Sequence, residues 1–166
     1  MKLIKLTASS LLLLSLVFGI SSCERDAEQK ITTDYSKSGI ILNGANETPA
    51  TTSSALGSMD VFYTRETRIL SYTVSWSGLT GPVTAMHIHG KAPAGFPAAV
   101  FQNIITSSNG IFTPGAAYGT TGKISATLLI DGVTVNEADL LSGQYYMNIH
   151  TAVNPGGEIR AQIVFQ

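Results

Sequence analysis

The feature that most constrains the fold is a strict alternation of apolar and polar side chains with a period of two. In the segment 70–77, LSYTVSWS, each even position carries a large apolar side chain and each odd position carries serine or threonine. Successive side chains of a β-strand point to opposite faces, so such a segment buries one face and leaves the other in contact with water. The same alternation recurs in segments 123–130 and 158–165. The chain therefore predicts half-buried strands rather than amphipathic helices.

Shorter segments of similar character bring the number of predicted strands to about eight. They are Ile40–Leu42, Ser58–Thr64, Val83–His89, Val100–Ile105 and Tyr145–His150. Glycine, proline, asparagine and serine separate them, and one short helix is predicted at Asn136–Leu141, with Asn136 as its cap. This pattern predicts an all-β fold, an antiparallel Greek-key-like sandwich or barrel.

The N-terminal segment has the features of an export signal. Lys2 and Lys5 precede the apolar run LLLLSLVFGI, which is shorter than the roughly 20 residues needed to span a membrane. The following residues, Ile20-Ser21-Ser22-Cys23, resemble a bacterial lipobox, in which cleavage before the cysteine leaves a lipid on its sulfur. We therefore expect residues 1–22 to be a lipoprotein signal peptide and Cys23 to be lipidated.

The lipid on Cys23 is the predicted link to the membrane. Residues 23–37 are polar and charged, which predicts a lipidated N-terminus and flexible tether, followed by a β-domain at 38–166. An undetected first strand near Ile31–Tyr35 is the alternative. Because Cys23 is the only cysteine, an internal disulfide and a thiolate metal site are both excluded. The expected location is the cell envelope, with the outer membrane favoured.

The charge of the chain excludes one class of partner. After removal of residues 1–22, which contain Lys2 and Lys5 and no acidic residue, 8 basic side chains remain of 10, against 11 acidic ones. A net charge near −3 gives no reason to expect binding to nucleic acid or to an anionic lipid surface. The remaining candidates are an unknown protein or a small ligand.

The three histidines of the chain are the candidate metal ligands. His87 and His89 lie two residues apart in AMHIHG, and His150 follows in the similar segment YYMNIHT. Residues at this spacing share one face of a strand, with α-carbons about 6.7 Å apart. Two imidazoles can then bind one ion, and a third from a neighbouring strand completes the set. Three imidazoles without a thiolate are typical of a single copper or zinc ion.

Other polar residues share the predicted histidine face, opposite the apolar sets of their strands. They are Tyr146, Asn148, Glu158, Arg160 and Gln162. Glu158 is a candidate fourth ligand or ring-orienting group, and it could also form an ion pair with Arg160. The alternatives are an outward-facing binding surface and a structural network that holds the sheet together.

No complete set of catalytic residues is visible in the sequence. It has no cysteine nucleophile in the domain, no G-x-S-x-G motif and no second carboxylate close to Glu158; nothing in the sequence brings Glu47 or Asp60 near it. An enzyme is therefore not expected.

Four motifs in order resemble the CHRD domain, which is named after chordin and also occurs alone in bacterial exported proteins. They are ILNGANETPA, AMHIHG with its Gly/Pro/Ala loop, YYMNIHT and NPGGEIRAQIVF, and together they cover roughly Gly39–Gln166. The resemblance implies a β-sandwich domain and no particular activity. The order of the histidines and the final-strand arginine is also similar to that of copper-zinc superoxide dismutases, although no histidines remain here for a second metal.

Two functional hypotheses follow. The first is a lipid-anchored, non-enzymatic binding module of the cell envelope, which uses the polar face of the HIHG, NIHT and GEIR segments. The second is a mononuclear copper or zinc protein with a redox or metal-handling role. A third possibility is that these residues are structural and that function lies in loops such as Lys91–Ala98.

Overall fold

The computed structural model describes residues 33–105 and 118–165. The predicted signal peptide, the lipidation site Cys23 and most of the predicted tether lie outside these residues. The strands are β1 (Asp34–Asn43), β2 (Leu56–Thr64), β3 (Ile69–Ser77), β4 (Val83–Gly90), β5 (Val100–Ile105), β6 (Gly122–Leu129), β7 (Tyr145–Thr151) and β8 (Ile159–Gln162). A 3₁₀ turn (Gly44–Asn46) follows β1, and one short helix, α1 (Glu137–Leu141), precedes β7. Within the described ranges no helix has the length and apolar character needed to cross a membrane.

The eight strands form one antiparallel sheet, which confirms the predicted all-β class. The order is β5-β4-β7-β8-β1-β2-β3-β6, so the first and last strands of the domain are neighbours. Gln102 on edge strand β5 accepts a hydrogen bond from Tyr72 Oη (2.8 Å) and donates one to the carbonyl oxygen of Thr127 on edge strand β6 (2.7 Å). Side chains thus bring the two sheet edges together, and the sheet is a nearly closed barrel.

The predicted alternation gives the core. Leu70, Tyr72, Val74 and Trp76 of β3 are all buried, whereas the intervening serines and threonine are not. In β4 and β7 the alternate apolar residues are likewise buried: Met86, Ile88, Met147 and Ile149. These residues belong to one hydrophobic cluster inside the barrel.

The first strand begins earlier than predicted. β1 starts at Asp34, so residues 34–37 pair with β2 and do not belong to a tether. Tyr35 lies opposite Tyr63 in this pairing, and the two rings stack with centroids 6.2 Å apart, while Phe165 contacts Tyr35 edge-on. In residues 34–38 Tyr35 is the only apolar side chain, so alternation did not reveal this first part of the strand.

The predicted helix is present at its expected place. The side chain of Asn136 accepts a hydrogen bond from the backbone N–H of Ala138 (2.8 Å), as expected of an N-cap. Gly143, with φ of +74°, follows the C-cap residue Ser142 and allows the left-handed turn into β7.

Removing a core leucine tests the assignment of the buried face. We expect Leu70→Ala, at a position with 0% exposure, to lower the free energy of unfolding by about 2–5 kcal/mol because it leaves a cavity. The matched change Leu129→Ala, at a position with 50% exposure, is expected to cost less than about 1 kcal/mol. Urea denaturation of both variants measures the difference. Equal losses would contradict the assignment.

Candidate metal centre

Pairing of β4 with β7 brings the three histidines together. In this pairing His87 lies opposite Asn148 and Ala85 lies opposite His150, so His150 is diagonal to His87. One ligand atom from each histidine lies within 4.8 Å of the other two. The closest contact is between His87 Nδ1 and His150 Nε2, at 3.1 Å. The strand neighbourhood that the metal hypothesis required is therefore present.

Backbone carbonyls determine the tautomers of two of the rings. His89 Nδ1 lies 3.0 Å from the carbonyl oxygen of Ala98, and His150 Nδ1 lies 2.9 Å from that of Pro155. Because a carbonyl oxygen only accepts hydrogen bonds, both Nδ1 atoms carry a proton. In a neutral ring this leaves the lone pair on Nε2, which points into the cluster.

Burial keeps the three rings neutral at pH 7. It lowers the pKa of His87 to about 4, and the charges of His150 and His89 lower it further. Burial also lowers the pKa of His89 and of His150; their hydrogen bonds to carbonyl oxygens oppose this without outweighing it. An uncharged imidazole is the form that binds a metal ion.

Asn148 lies at the centre of the cluster. Its Oδ1 is 3.0 Å from His89 Nε2 and 2.9 Å from His150 Nε2, and its side chain is buried. The sequence placed Asn148 on the histidine face. It gave no indication that one oxygen atom of this residue would lie beside two imidazoles.

Glu47 lies beside Asn148 of this cluster, and the sequence did not select it as a site residue. It is 7% exposed, and among the described residues its Oε1 has no hydrogen-bond partner. Burial raises the pKa of Glu47 to about 7, although the charge of Arg160 and hydrogen bonds from the Thr48 backbone and Asn148 oppose the increase. The sequence did point to Glu47 in one way, because the segment NETPA is part of the family resemblance. The resemblance gave that segment no role.

Arg160 and Tyr146 support His89 from one side. The Tyr146 ring stacks on His89 with an interplanar angle of 2° and a centroid distance of 4.7 Å. The guanidinium carbon of Arg160 lies 3.3 Å from the centroid of the Tyr146 ring, on which its charge is favourably placed. The three groups form a layered stack that fixes the orientation of the His89 ring.

The loop at 91–98 covers the polar face. Arg160 Nη2 donates to the carbonyl oxygen of Phe96 (3.0 Å), and the backbone N–H of Ala98 donates to Tyr146 Oη (3.1 Å). Gln162 Nε2 donates to the carbonyl oxygen of Ala92 (2.9 Å). Side chains of the polar face therefore hold this loop in place above the histidines.

The polar face was expected to be exposed to solvent, and this expectation is wrong. Tyr146, Asn148, Glu158 and Arg160 are all buried, and Gln162 is half-buried. The strand residues Tyr146, Asn148, Arg160 and Gln162 do point away from the hydrophobic core, as alternation predicted. Loops then cover them, and the position of loops cannot be read from strand periodicity.

Glu158 does not join the histidines, so its prediction as a fourth ligand is wrong. Its carboxylate accepts hydrogen bonds from the hydroxyls of Ser53 (2.7 Å), Thr80 (2.6 Å) and Thr151 (2.6 Å). Within the described part of the chain it forms no ion pair with Arg160. β8 begins only at Ile159, after Gly157 with φ of +126°, so alternation along the strand does not extend to Glu158.

The Glu158 carboxylate predicts a loss of stability in acid. Burial by itself raises its pKa, but the hydrogen bonds from Thr151, Thr80 and Ser53 outweigh burial and lower the pKa to about 2 from 4.5. A depressed folded-state pKa stabilises the fold above the unfolded-state pKa, and this stabilisation is lost as the pH falls from 4.5 towards 2.

We therefore expect Glu158→Gln to unfold more easily than the wild type at pH 7, and the difference to shrink between pH 4.5 and 2. Denaturant titrations across this pH range measure it, with Glu66→Gln, an exposed carboxylate, as the control. A difference that is constant with pH would contradict the role given to the charge.

Comparisons with known proteins agree with the motifs of the sequence. The family model described as the CHRD domain matches residues 39–163. A search of curated proteins and a search of solved structures gave no significant match. The matched region runs from the middle of β1 to the end of β8 and includes all three histidines, Asn148 and Glu47. The chain therefore belongs to the CHRD domain family.

Proposed function

We propose that this chain is a metal-binding module of the cell envelope that holds one copper or zinc ion between His87, His89 and His150. The observation that carries the proposal is the convergence of three imidazole nitrogens, with one ligand atom of each within 4.8 Å of the others. Two of the rings have their outer nitrogen bound to a backbone carbonyl, so their inner nitrogens face the same point.

The distances are compatible with coordination after a small movement. Two nitrogens that bind one ion at about 2.0–2.1 Å lie at most about 4.2 Å apart. The limit of 4.8 Å within which the three ligand atoms lie exceeds this value by about 0.6 Å, which rotation of the imidazoles can supply. The carbonyl contacts of His89 and His150 are the outer-shell partners that metal-binding histidines usually have.

Copper and zinc are the metals that this donor set favours. Imidazole nitrogen suits both ions, and in the Irving–Williams order Cu²⁺ binds more tightly than Zn²⁺. The only cysteine of the chain is Cys23, outside the domain, so a thiolate from the domain does not contribute to the choice of metal.

Burial of the site supports metal holding in preference to catalysis or docking of a large partner. His89 and His150 are each 8% exposed, and the loop at 91–98 is bound to Arg160 and Tyr146. A protein surface could not reach His89 and His150 without displacing this loop, although His87 is only half-buried.

A small polar ligand is the second candidate, and one cavity favours it. A pocket of about 220 Å³ opens beside the site and is lined by Asn46, Glu47, Arg160 and Gln162 together with residues of the 91–98 loop. A binding module for such a ligand would use the same polar segments without a metal. In that case metal would not bind stoichiometrically, and the experiment below distinguishes the two functions.

Metal titration tests the proposal. The full chain, purified without a histidine tag and stripped with chelator, is titrated with Zn²⁺ and Cu²⁺ by calorimetry. We expect one equivalent to bind, and His150→Ala to lower the affinity by more than about 10-fold because one of three ligands is lost. Glu66→Gln, an exposed carboxylate remote in sequence from the histidines, is the matched control and is expected to bind as the wild type does. Sub-stoichiometric metal that His150→Ala leaves unchanged would refute the function.

The membrane link is proposed to be a lipid on Cys23, supported by the sequence Ile20-Ser21-Ser22-Cys23. In a bacterial host we expect the wild type in the membrane fraction and Cys23→Ser outside it, because the lipid supplies the anchor. Mass spectrometry of the N-terminal peptide measures the modification. Gln29→Ala, which lies outside the lipobox and keeps the cysteine, is the control, and an unmodified Cys23 in the wild type would contradict the proposal. Protease treatment of intact cells then reports which side of the outer membrane the domain faces.

A further inference from the structure

The starting observation is that two histidines face the same oxygen atom. Asn148 Oδ1 lies 3.0 Å from His89 Nε2 and 2.9 Å from His150 Nε2. Both distances are those of hydrogen bonds, which require a proton on each Nε2. The Nδ1 protons of these rings are already committed to the carbonyl oxygens of Ala98 and Pro155.

When the rings are neutral, the Nε2 atoms of His89 and His150 are hydrogen-bond acceptors, and the Asn148 Oδ1 atom that they face is an acceptor too. Each Nε2 presents a lone pair, and so does Oδ1, with no hydrogen atom between them. His87 Nδ1 lies 3.1 Å from His150 Nε2 and can donate to that one atom, which leaves His89 Nε2 and Asn148 Oδ1 facing each other without a donor. Buried acceptors in this arrangement are unfavourable. A cation at the point that they share removes the conflict for all of them.

The assignment of Oδ1 to the histidine side follows from the group on the other side of the amide. The Glu47 carboxylate and Asn148 Nδ2 lie side by side, since a Cβ atom added to Gly157 would meet both of them. The amide also opposes the increase that burial causes in the pKa of Glu47. Of the two ends of the amide only the NH₂ group donates, so Nδ2 faces Glu47 and Oδ1 faces the imidazoles.

We propose that Asn148 Oδ1 is the fourth ligand of the metal ion, and that Glu47 is the positioning residue that directs this oxygen to it. The inference rests on the proposed metal site and deepens it. With three imidazole nitrogens and one amide oxygen the ion is four-coordinate and has no open position for water or substrate. Sites closed in this way hold a metal, whereas catalytic zinc sites keep one position open.

The backbone around Glu47 and Asn148 is built for their contact. A Cβ atom added to Gly157 would collide with the carboxylate of Glu47 and lie 2.8 Å from Asn148 Nδ2. The space that a side chain would occupy is filled by the two polar groups. The hairpin between β7 and β8 thus leaves room for the carboxylate that orients the amide.

The donor set also has a consequence for metal choice. Amide oxygen is a hard ligand, and soft Cu⁺ prefers thiolate or thioether sulfur. A site of three imidazoles and one amide oxygen therefore favours Zn²⁺ or Cu²⁺ over Cu⁺.

Cobalt substitution tests the ligand, because the visible absorption of Co²⁺ depends on its coordination number. The full chain without a histidine tag is titrated with Co²⁺, and Zn²⁺ affinity is measured by competition with a chelator. We expect the wild type to show the intense absorption of four-coordinate Co²⁺. Asn148→Ala is expected to bind one ion about 10- to 100-fold more weakly. Its spectrum is expected to change with pH, because a water molecule that can lose a proton on the ion takes the place of the amide oxygen. Asn154→Ala, in the same hairpin and bonded to Thr80, is the matched control and is expected to behave as the wild type does.

Variants of Glu47 separate positioning from a merely structural role. Glu47→Ala is expected to give the spectrum of Asn148→Ala, because the amide is free to turn. Glu47→Gln is expected to restore the wild-type spectrum, since its amide oxygen still accepts from Asn148 Nδ2. Equal spectra for Glu47→Ala and the wild type would overturn the positioning role.

The failures of the two proposals are distinguishable. A folded wild type that binds neither Co²⁺ nor Zn²⁺ refutes the metal function itself. A wild type that binds one ion, with Asn148→Ala equal to it in affinity and spectrum, refutes the ligand role of Asn148 alone. If Asn148→Ala does not fold, NMR of the wild type replaces it: Zn²⁺ must shift the Asn148 side-chain NH₂ resonances more than those of Asn154, and equal shifts overturn the inference.

Discussion

The antiparallel register between β4 and β7 is the constraint on which the site depends. It sets His87 opposite Asn148 and His89 opposite Tyr146, and it places His150, opposite Ala85, diagonal to His87. The neighbouring apolar residues, Met86 and Ile88 against Ile149 and Met147, hold the same register from the core side. A slip of one residue would exchange the two faces, placing histidines in the core and methionines under the loops. Because that exchange is unfavourable, the register keeps the three histidines together.

Strand periodicity predicted most of the fold and the membership of the polar face, because both depend on the period of two. It could not predict that the face is covered. That depends on the carbonyl oxygens of Phe96, Ala98 and Pro155, which belong to loops and carry no side-chain signature. Periodicity also failed for the position of the Glu158 side chain, because Glu158 lies one residue before β8. It failed for the start of β1 at Asp34, because the strand begins among polar residues.

Tyr146 and Arg160 hold the covered polar face together, because each of them makes two contacts there. Tyr146 stacks on His89 and also accepts a hydrogen bond from the backbone N–H of Ala98. Arg160 lies over the Tyr146 ring and donates a hydrogen bond to the backbone carbonyl oxygen of Phe96. Loop and imidazole are therefore fixed by the same two side chains. Movement of the loop would therefore also loosen the His89 ring.

The two buried glutamates, Glu158 and Glu47, differ in how many hydrogen bonds their carboxylates accept and in the direction of their pKa shifts. Glu158 accepts three hydroxyl hydrogen bonds and its pKa falls to about 2, so it remains charged and joins loops to the sheet. Glu47 is almost as buried, yet one oxygen has no partner among the described residues and its pKa rises to about 7. A buried carboxylate oxygen without a hydrogen-bond partner lowers the stability of the fold. Such a carboxylate is expected where it positions a neighbouring side chain. The neighbour here is Asn148, whose amide the carboxylate orients towards the histidines.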